Sequence, residues 1–322
     1  MSHALRIGSF AIVLASFAAG SVQPTVQAQE TNRKTRYLDP VVFQAAGPSA
    51  ASIQSMVDAF RLAIGGANNG NVAGPIATGR REINWDGGGS TATSVVPTPF
   101  DGFLLNRGAR FATRGGGFVQ APVDGLAATF NNASYATEFK AFSPVRLFSP
   151  IDSNVTTAQF FVPGGGDVAA TTKAFGAVFS DVDQQNDRWG HGGSTVLLFY
   201  GVYGNLLYRA EVPASEGEAS FSFMGVLFDE ARVAFVRIRT GNALPGTDDD
   251  QRHDVVMMDD FIYGEPRRSS RRSRRATETA GRVSGPKPGN PPGSGIRPRR
   301  SATCPVRAAR QMNSFRIGSG FT

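Results

Sequence analysis

Short β-type segments dominate the pattern of hydrophobic and polar positions between residues 100 and 263. Apolar runs recur there with Gly, Pro, Asn and Asp between them and little helical periodicity. In 220–223, phenylalanines alternate with serines, as expected of a half-buried strand. We therefore predict a mainly β, antiparallel sandwich and not an alternating βαβ fold. The predicted strands are 157–162, 174–182, 194–203, 205–212, 219–228, 232–240 and 254–263.

One segment, 49–65, has the period of an amphipathic helix. Ser49 or Ser52 can cap its start, and Gly65 with Gly66 ends it. A helix packed on the core of the β domain is the first interpretation, and a helix that binds a partner is the second. The apolar stripe consists of Ile53, Met56, Val57, Phe60, Ala63 and Ile64.

The N-terminus predicts export. An apolar run, 7–19, follows Arg6 and is too short to span a bilayer, and Val26-Gln27-Ala28 fits signal-peptidase cleavage. We expect a periplasmic, cell-surface or extracellular product without a transmembrane segment after cleavage. The predicted organisation is a signal peptide (1–28), a leader (29–48), one sandwich domain (49–266) and a disordered tail (267–322).

Charge is divided unevenly along the chain, whose net charge is +7. The tail holds 14 of the 33 basic residues and one of the 26 acidic ones, so the rest of the chain carries −6. Nucleic-acid binding by the folded part is therefore not expected. The tail fits a solvated linker, a polyanion-binding arm or translation in a shifted frame.

Cys304 is the only cysteine, so a buried core, with or without a metal ion, must stabilise the domain.

Three motifs resemble a family of exported bacterial proteins of unassigned activity. They are GRREINWDG at 79–87, AFGAVFSDVD at 174–183 and DVVMMDDFIYGEP at 254–266. The resemblance covers roughly residues 57–266 and implies a secreted, jelly-roll-like domain without implying a reaction. The chain departs from the pattern after Pro266, where an arginine-rich stretch follows.

Asp259 and Asp260 lie inside the last predicted strand. Strand alternation predicts that they point to opposite faces, each among apolar neighbours. A buried carboxylate needs a partner. The candidates are Ca²⁺, as in jelly-roll carbohydrate-binding modules, an arginine such as Arg80 or Arg81, or backbone amides.

A second acidic group follows the strand 174–182. Asp181 and Asp183 share a face, and with Asp187 they offer the oxygen ligands that Ca²⁺ takes, although the spacing is not that of an EF-hand. A solvated acidic turn is the alternative. Residues 248–250, three further aspartates, predict a mobile loop.

Two tryptophans, Trp85 and Trp189, lie among glycines. On an exposed loop each can stack on a sugar ring, and in a buried position each closes the end of the core.

Catalytic motifs are missing from the sequence. His191 and His253 have no metal-binding spacing, no G-x-S-x-G elbow occurs, and Cys304 has no catalytic context. The sequence therefore predicts a non-catalytic binding or adhesion module for an extracellular glycan or surface polymer, with Ca²⁺ assistance as one variant. A purely structural exported domain is the alternative, and a glycan hydrolase using paired carboxylates is third.

Overall fold

The computed structural model describes residues 39–183 and 194–268, in which fifteen strands and four helices occur. The helices are α1 (Ala50–Ile64), α2 (Leu104–Arg107), α3 (Val123–Phe130) and α4 (Tyr135–Glu138). The strands are β1 (Val41–Gly47), β2 (Arg80–Ile83), β3 (Ser94–Val96), β4 (Ala109–Ala112), β5 (Gly117–Ala121), β6 (Leu147–Ile151), β7 (Val155–Phe160), β8 (Ala170–Thr171), β9 (Ala174–Ser180), β10 (Val196–Tyr200), β11 (Leu206–Glu211), β12 (Phe221–Leu227), β13 (Phe235–Arg239), β14 (Met257–Gly264) and β15 (Arg267–Arg268).

Two antiparallel sheets carry the fold. The eight-stranded sheet has the order β1-β12-β9-β14-β6-β5-β3, with β2 also paired to β14. The five-stranded sheet has the order β11-β10-β13-β7-β4, and β15 pairs with β8 in a separate ribbon. The predicted mainly β, antiparallel fold is therefore confirmed.

The main core lies between the two sheets and is rich in aromatic rings. Phe111 of the five-stranded sheet and Phe261 of the eight-stranded sheet have ring centroids 5.7 Å apart, and both side chains are buried. Leu197 and Val236 join the same cluster from the smaller sheet. Burial of these large rings supplies much of the favourable free energy of folding.

Helix α1 covers the other face of the eight-stranded sheet. Its stripe of Ile53, Val57, Phe60 and Ile64 is buried, which confirms the predicted helix and its packing on the core. The ring of Phe60 lies over a glycine pair formed by Gly176 of β9 and Gly225 of β12. A Cβ atom at Gly225 would lie 2.8 Å from that ring, so the helix approaches closely only because both positions are glycine.

All seven predicted strands occur, as β7 and β9–β14, with ends shifted by a few residues. The predicted domain limits need two corrections. Strand β1 lies within the predicted leader and pairs over seven residues with β12, so the folded part begins before residue 49. Strand β15 adds Arg267 and Arg268 to the domain, beyond the predicted limit at 266. Residues 1–28 and almost all of the predicted tail lie outside the described residues.

The three motifs come together in the eight-stranded sheet. Strand β14 pairs with β9 along one edge and with β2 along the other, so the segments 79–87, 174–183 and 254–266 are neighbours. Within the part of the chain that the structure describes, no helix is long and apolar enough to cross a membrane.

Candidate functional site

Asp259 and Asp260 lie in a β-bulge of β14. The pairing of β14 with β9 shifts between Met258 and Phe261, so alternation is interrupted at the two aspartates. The predicted separation of the two carboxylates onto opposite faces is therefore wrong. One hydroxyl, Ser143 Oγ, lies 3.3 Å from Asp259 Oδ1 and 2.6 Å from Asp260 Oδ1.

The two aspartates hold the loop that contains Ser143. Asp259 Oδ2 accepts hydrogen bonds from the backbone N–H of Phe142 at 2.6 Å and of Ser143 at 3.3 Å. Asp259 Oδ1 accepts the N–H of Asp260 at 2.8 Å. Asp86 extends the arrangement, since its Oδ1 accepts the N–H of Val145 at 2.7 Å. The carboxylates therefore replace the backbone partners that this irregular loop lacks.

Protein donors contact both carboxylates of this pair. Burial and then the charge of Asp260 raise the pKa of Asp259 well above its usual range. Asp260 has an arginine partner, Arg61 of α1, at 3.4 Å. The arginines named from sequence pair elsewhere: Arg80 with Glu82 at 2.6 Å and Arg81 with Glu265 at 2.6 Å. These contacts fit the amide-and-arginine alternative, and the metal role of Asp259 and Asp260 stays a prediction.

A second acidic group lies beyond the C-terminal end of β9. We call Asp181, Asp183, Asp249 and Asp254 the acidic cluster. Asp181 is 1% exposed, and its Oδ1 has no hydrogen-bond partner among the described residues. Asp249 accepts the N–H of Val255 at 3.2 Å, and Asp254 accepts that of Asp183 at 3.3 Å.

Burial and mutual repulsion keep protons on this cluster. Burial, followed by the charges of Asp183 and Asp249, raises the pKa of Asp181 to about 9. Burial likewise raises the pKa of Asp249 to about 8, with Asp254 adding to the shift. At neutral pH these two carboxyls are therefore mainly protonated and neutral.

The described residues give calcium limited support. Asp181 and Asp183 are neighbours as predicted, but among residues 39–183 and 194–268 no group of three His, Cys, Asp or Glu side chains could hold a metal ion. Asp187, the third predicted ligand, lies outside the described residues, so the calcium site there stays a prediction. Asp249, predicted in a mobile loop, belongs to the acidic cluster instead.

Trp85 is part of the core. It is 1% exposed, and its ring stacks on Phe148 with centroids 3.7 Å apart and an interplanar angle of 1°. Its indole N–H donates to the carbonyl of Asp259 at 3.3 Å. The predicted sugar-stacking role of Trp85 is therefore wrong, because neither ring nor edge is open to a ligand. Trp189 lies outside the described residues.

A candidate binding surface is the side of the five-stranded sheet that faces away from the core, which we call the outer face. Along β7 and β13, residues that are buried in the core alternate with residues that are at least partly exposed. One row across the outer face is formed by Leu206, Tyr200, Phe235, Gln159 and Arg110, which are neighbours in strand register. Parallel to it runs a row of Arg209, Leu198, Arg237, Thr157 and Ala112.

Two aromatic rings lie at the centre of the first row. Tyr200 and Phe235 have ring centroids 4.6 Å apart and an interplanar angle of 11°, and both side chains are partly exposed. The guanidinium carbon of Arg237 lies 5.8 Å from the Tyr200 ring centroid. Tyr203, in the hairpin after Tyr200, is 88% exposed. The row therefore presents aromatic surface beside polar side chains.

A cleft adjoins these rings. Its volume is about 280 Å³, and we call it the arginine cleft because two arginines line it. Its lining residues are Ala112, Thr113, Arg114, Val155, Thr157 and Arg237.

Sequence reasoning missed the outer face as a site. Arg237 and Arg239 alternate with the buried Val236 and Ile238 along β13. Alternation within one strand does not reveal which strands lie beside it, and here β7 and β4 are brought in from much earlier in the chain. Tyr200 and Phe235 become neighbours only through the pairing of β10 with β13.

Comparison with known proteins assigns no role to this site. No protein-family model matches the chain, and no curated protein matches it significantly.

Proposed function

We propose that this chain is an exported, non-catalytic binding module that holds an extracellular glycan or surface polymer on the outer face. The observation that carries the proposal is the partly exposed, stacked pair Tyr200–Phe235 beside the arginine cleft. Sugar rings pack their apolar C–H faces on aromatic rings, and their hydroxyls bond to nearby polar side chains.

The row through Tyr200 and Phe235 supports a polymer ligand. It crosses five strands, from Leu206, which is 53% exposed, to Arg110. Gln159, next to Phe235, offers both a donor and an acceptor for sugar hydroxyls. An extended row of this kind suits a chain of several units lying across the strands.

The acidic cluster does not support hydrolysis. A general acid must contact the glycosidic oxygen, whereas Asp181 is 1% exposed and Asp254 is fully buried. No residue of the cluster lines the arginine cleft. Its raised pKa values follow from burial and repulsion within the fold.

Export is part of the same proposal and rests on the first 28 residues. We expect the mature chain to begin near Gln29, because Val26-Gln27-Ala28 follows a short apolar run. N-terminal sequencing of secreted material tests this, and recovery of the chain with Met1 retained in the inner membrane would contradict it.

A glycan array with the mature chain tests the binding function. Tyr200→Ala and Phe235→Ala should each lower binding at least tenfold, while Leu62→Ala, a change at an 82% exposed residue of α1, should leave it unchanged. Thermal melts check that the variants fold. No binding to any glycan or surface polymer would favour the purely structural alternative.

A further inference from the structure

The arginine cleft carries positive charge that the protein does not neutralise. Arg237 is exposed, and neither it nor Arg114 has an acidic partner among the described residues. The other four residues that line the cleft are uncharged. Two arginines therefore line one cavity without an acidic partner from residues 39–183 and 194–268.

Two other arginines of the outer face, Arg110 and Arg209, have acidic partners. Arg110 pairs with Asp101 at 2.5 Å and with Asp167 at 2.9 Å. Arg209 pairs with Glu211 at 3.1 Å. Arg114 and Arg237 differ from these two arginines in having no acidic partner among the described residues.

The surrounding protein sharpens this contrast. Residues 1–266 carry a net charge of −6, so an anionic ligand is repelled by much of the domain and attracted at the cleft. Guanidinium groups bind carboxylate and sulfate oxygens through paired hydrogen bonds. The volume of about 280 Å³ lies just below the usual range of small-ligand pockets and suits one sugar unit.

The cleft and the aromatic pair are continuous, because Arg237 lines the cleft and also lies over the ring of Tyr200. We propose that the arginine cleft binds the carboxylate or sulfate group of an acidic sugar unit whose neighbouring rings stack on Tyr200 and Phe235. The ligand class is an anionic polysaccharide. This inference rests on the proposed function and adds charge selectivity to it.

The test uses the mature full chain and three immobilised polymers: polygalacturonate, the same polymer with its carboxyls reduced to alcohols, and a sulfated galactan. Affinities are measured at 150 mM salt for the wild type, for Arg114→Gln/Arg237→Gln and for Arg252→Gln. Arg252 is an exposed arginine that does not line the cleft, so its variant shows the effect of losing one positive charge elsewhere on the domain. A synthetic 267–322 peptide measures what the basic tail binds by itself.

We expect the double variant to lose at least fivefold in affinity for an acidic polymer, with Arg252→Gln within twofold of wild type and affinity for the reduced polymer unchanged. A loss on polygalacturonate identifies a carboxylate as the bound group, and a loss on the sulfated galactan identifies a sulfate. Equal losses in the double variant and in Arg252→Gln would overturn the inference, as would tight wild-type binding that is the same for reduced and acidic polymers. In that last case Tyr200→Ala still reports on the proposed function, whereas binding to no polymer rejects both.

Discussion

Arg81 and Glu265 form an ion pair with two hydrogen bonds, and both side chains are buried. Arg81 Nε donates to Glu265 Oε2 over 2.6 Å and Arg81 Nη2 to Oε1 over 2.8 Å, with the side chains 0% and 1% exposed. Arg81 Nη1 also donates to the carbonyls of Gly70 at 3.0 Å and Val72 at 2.8 Å. The pair therefore joins the first and last motifs and holds the irregular segment before β2.

Glu265→Gln should destabilise the domain strongly. Removal of one partner leaves the Arg81 charge buried, which typically costs about 3–5 kcal/mol. Urea unfolding of the variant measures the loss. Asp101→Asn, which breaks a surface pair with Arg110, should cost less than about 1 kcal/mol. Equal losses in the two variants would contradict the role given to the buried pair.

Gly225→Ala should lower the free energy of unfolding by about 1–3 kcal/mol, because the new Cβ overlaps the buried ring of Phe60. The double variant Gly225→Ala/Phe60→Leu should lose less than the sum of the single changes, since the smaller side chain makes room. Denaturant melts of all four proteins measure this coupling. Additive losses would show that the helix does not approach the sheet as described.

Much of the fold follows from alternation and much of the site does not. Apolar runs and periodicity within a segment predicted β7, β9–β14 and α1, because both are local features of the sequence. Strand β1 was missed since Val41 and Val42 are exposed and its place comes from pairing with β12. The burial of Trp85 and the β-bulge at Asp259–Asp260 depend on contacts between residues far apart in the sequence, which a local pattern does not contain.

Stability should fall as pH rises through the range in which the acidic cluster titrates. The pKa of Asp181 is about 9 in the folded protein and near 4 when unfolded, so the folded state binds the extra proton between these values. Each pH unit in that window lowers stability by up to about 1.4 kcal/mol, and the loss is complete above about pH 9.

Asp181→Asn should therefore be more stable than wild type at pH 8 and show a shallower decline between pH 5 and 9. Asp39→Asn, at an exposed aspartate, should keep the wild-type profile. Melting temperatures across this range, with and without calcium chloride, measure the effect. Stabilisation by calcium that Asp181→Asn abolishes would show that a cation, and not a proton, neutralises the cluster.

Asp259→Ala should cost a few kcal/mol, because the N–H groups of Phe142 and Ser143 would lose their acceptor. Adding calcium should leave the difference in melting temperature between this variant and wild type unchanged. Hydrogen exchange at the amides of Phe142 and Ser143 should accelerate specifically. Unchanged exchange there would mean that Asp259 does not hold the loop.

The most direct test of the account is to locate the bound glycan. The ¹⁵N-labelled mature chain would be titrated with an oligosaccharide from the polymer that it binds, and backbone amide shifts followed to saturation. We predict the largest shifts in β7, β10 and β13, around Thr157, Tyr200 and Phe235, with those of α1 unchanged. Shifts confined to α1 or to residues 248–254 would contradict the assignment of binding to the outer face.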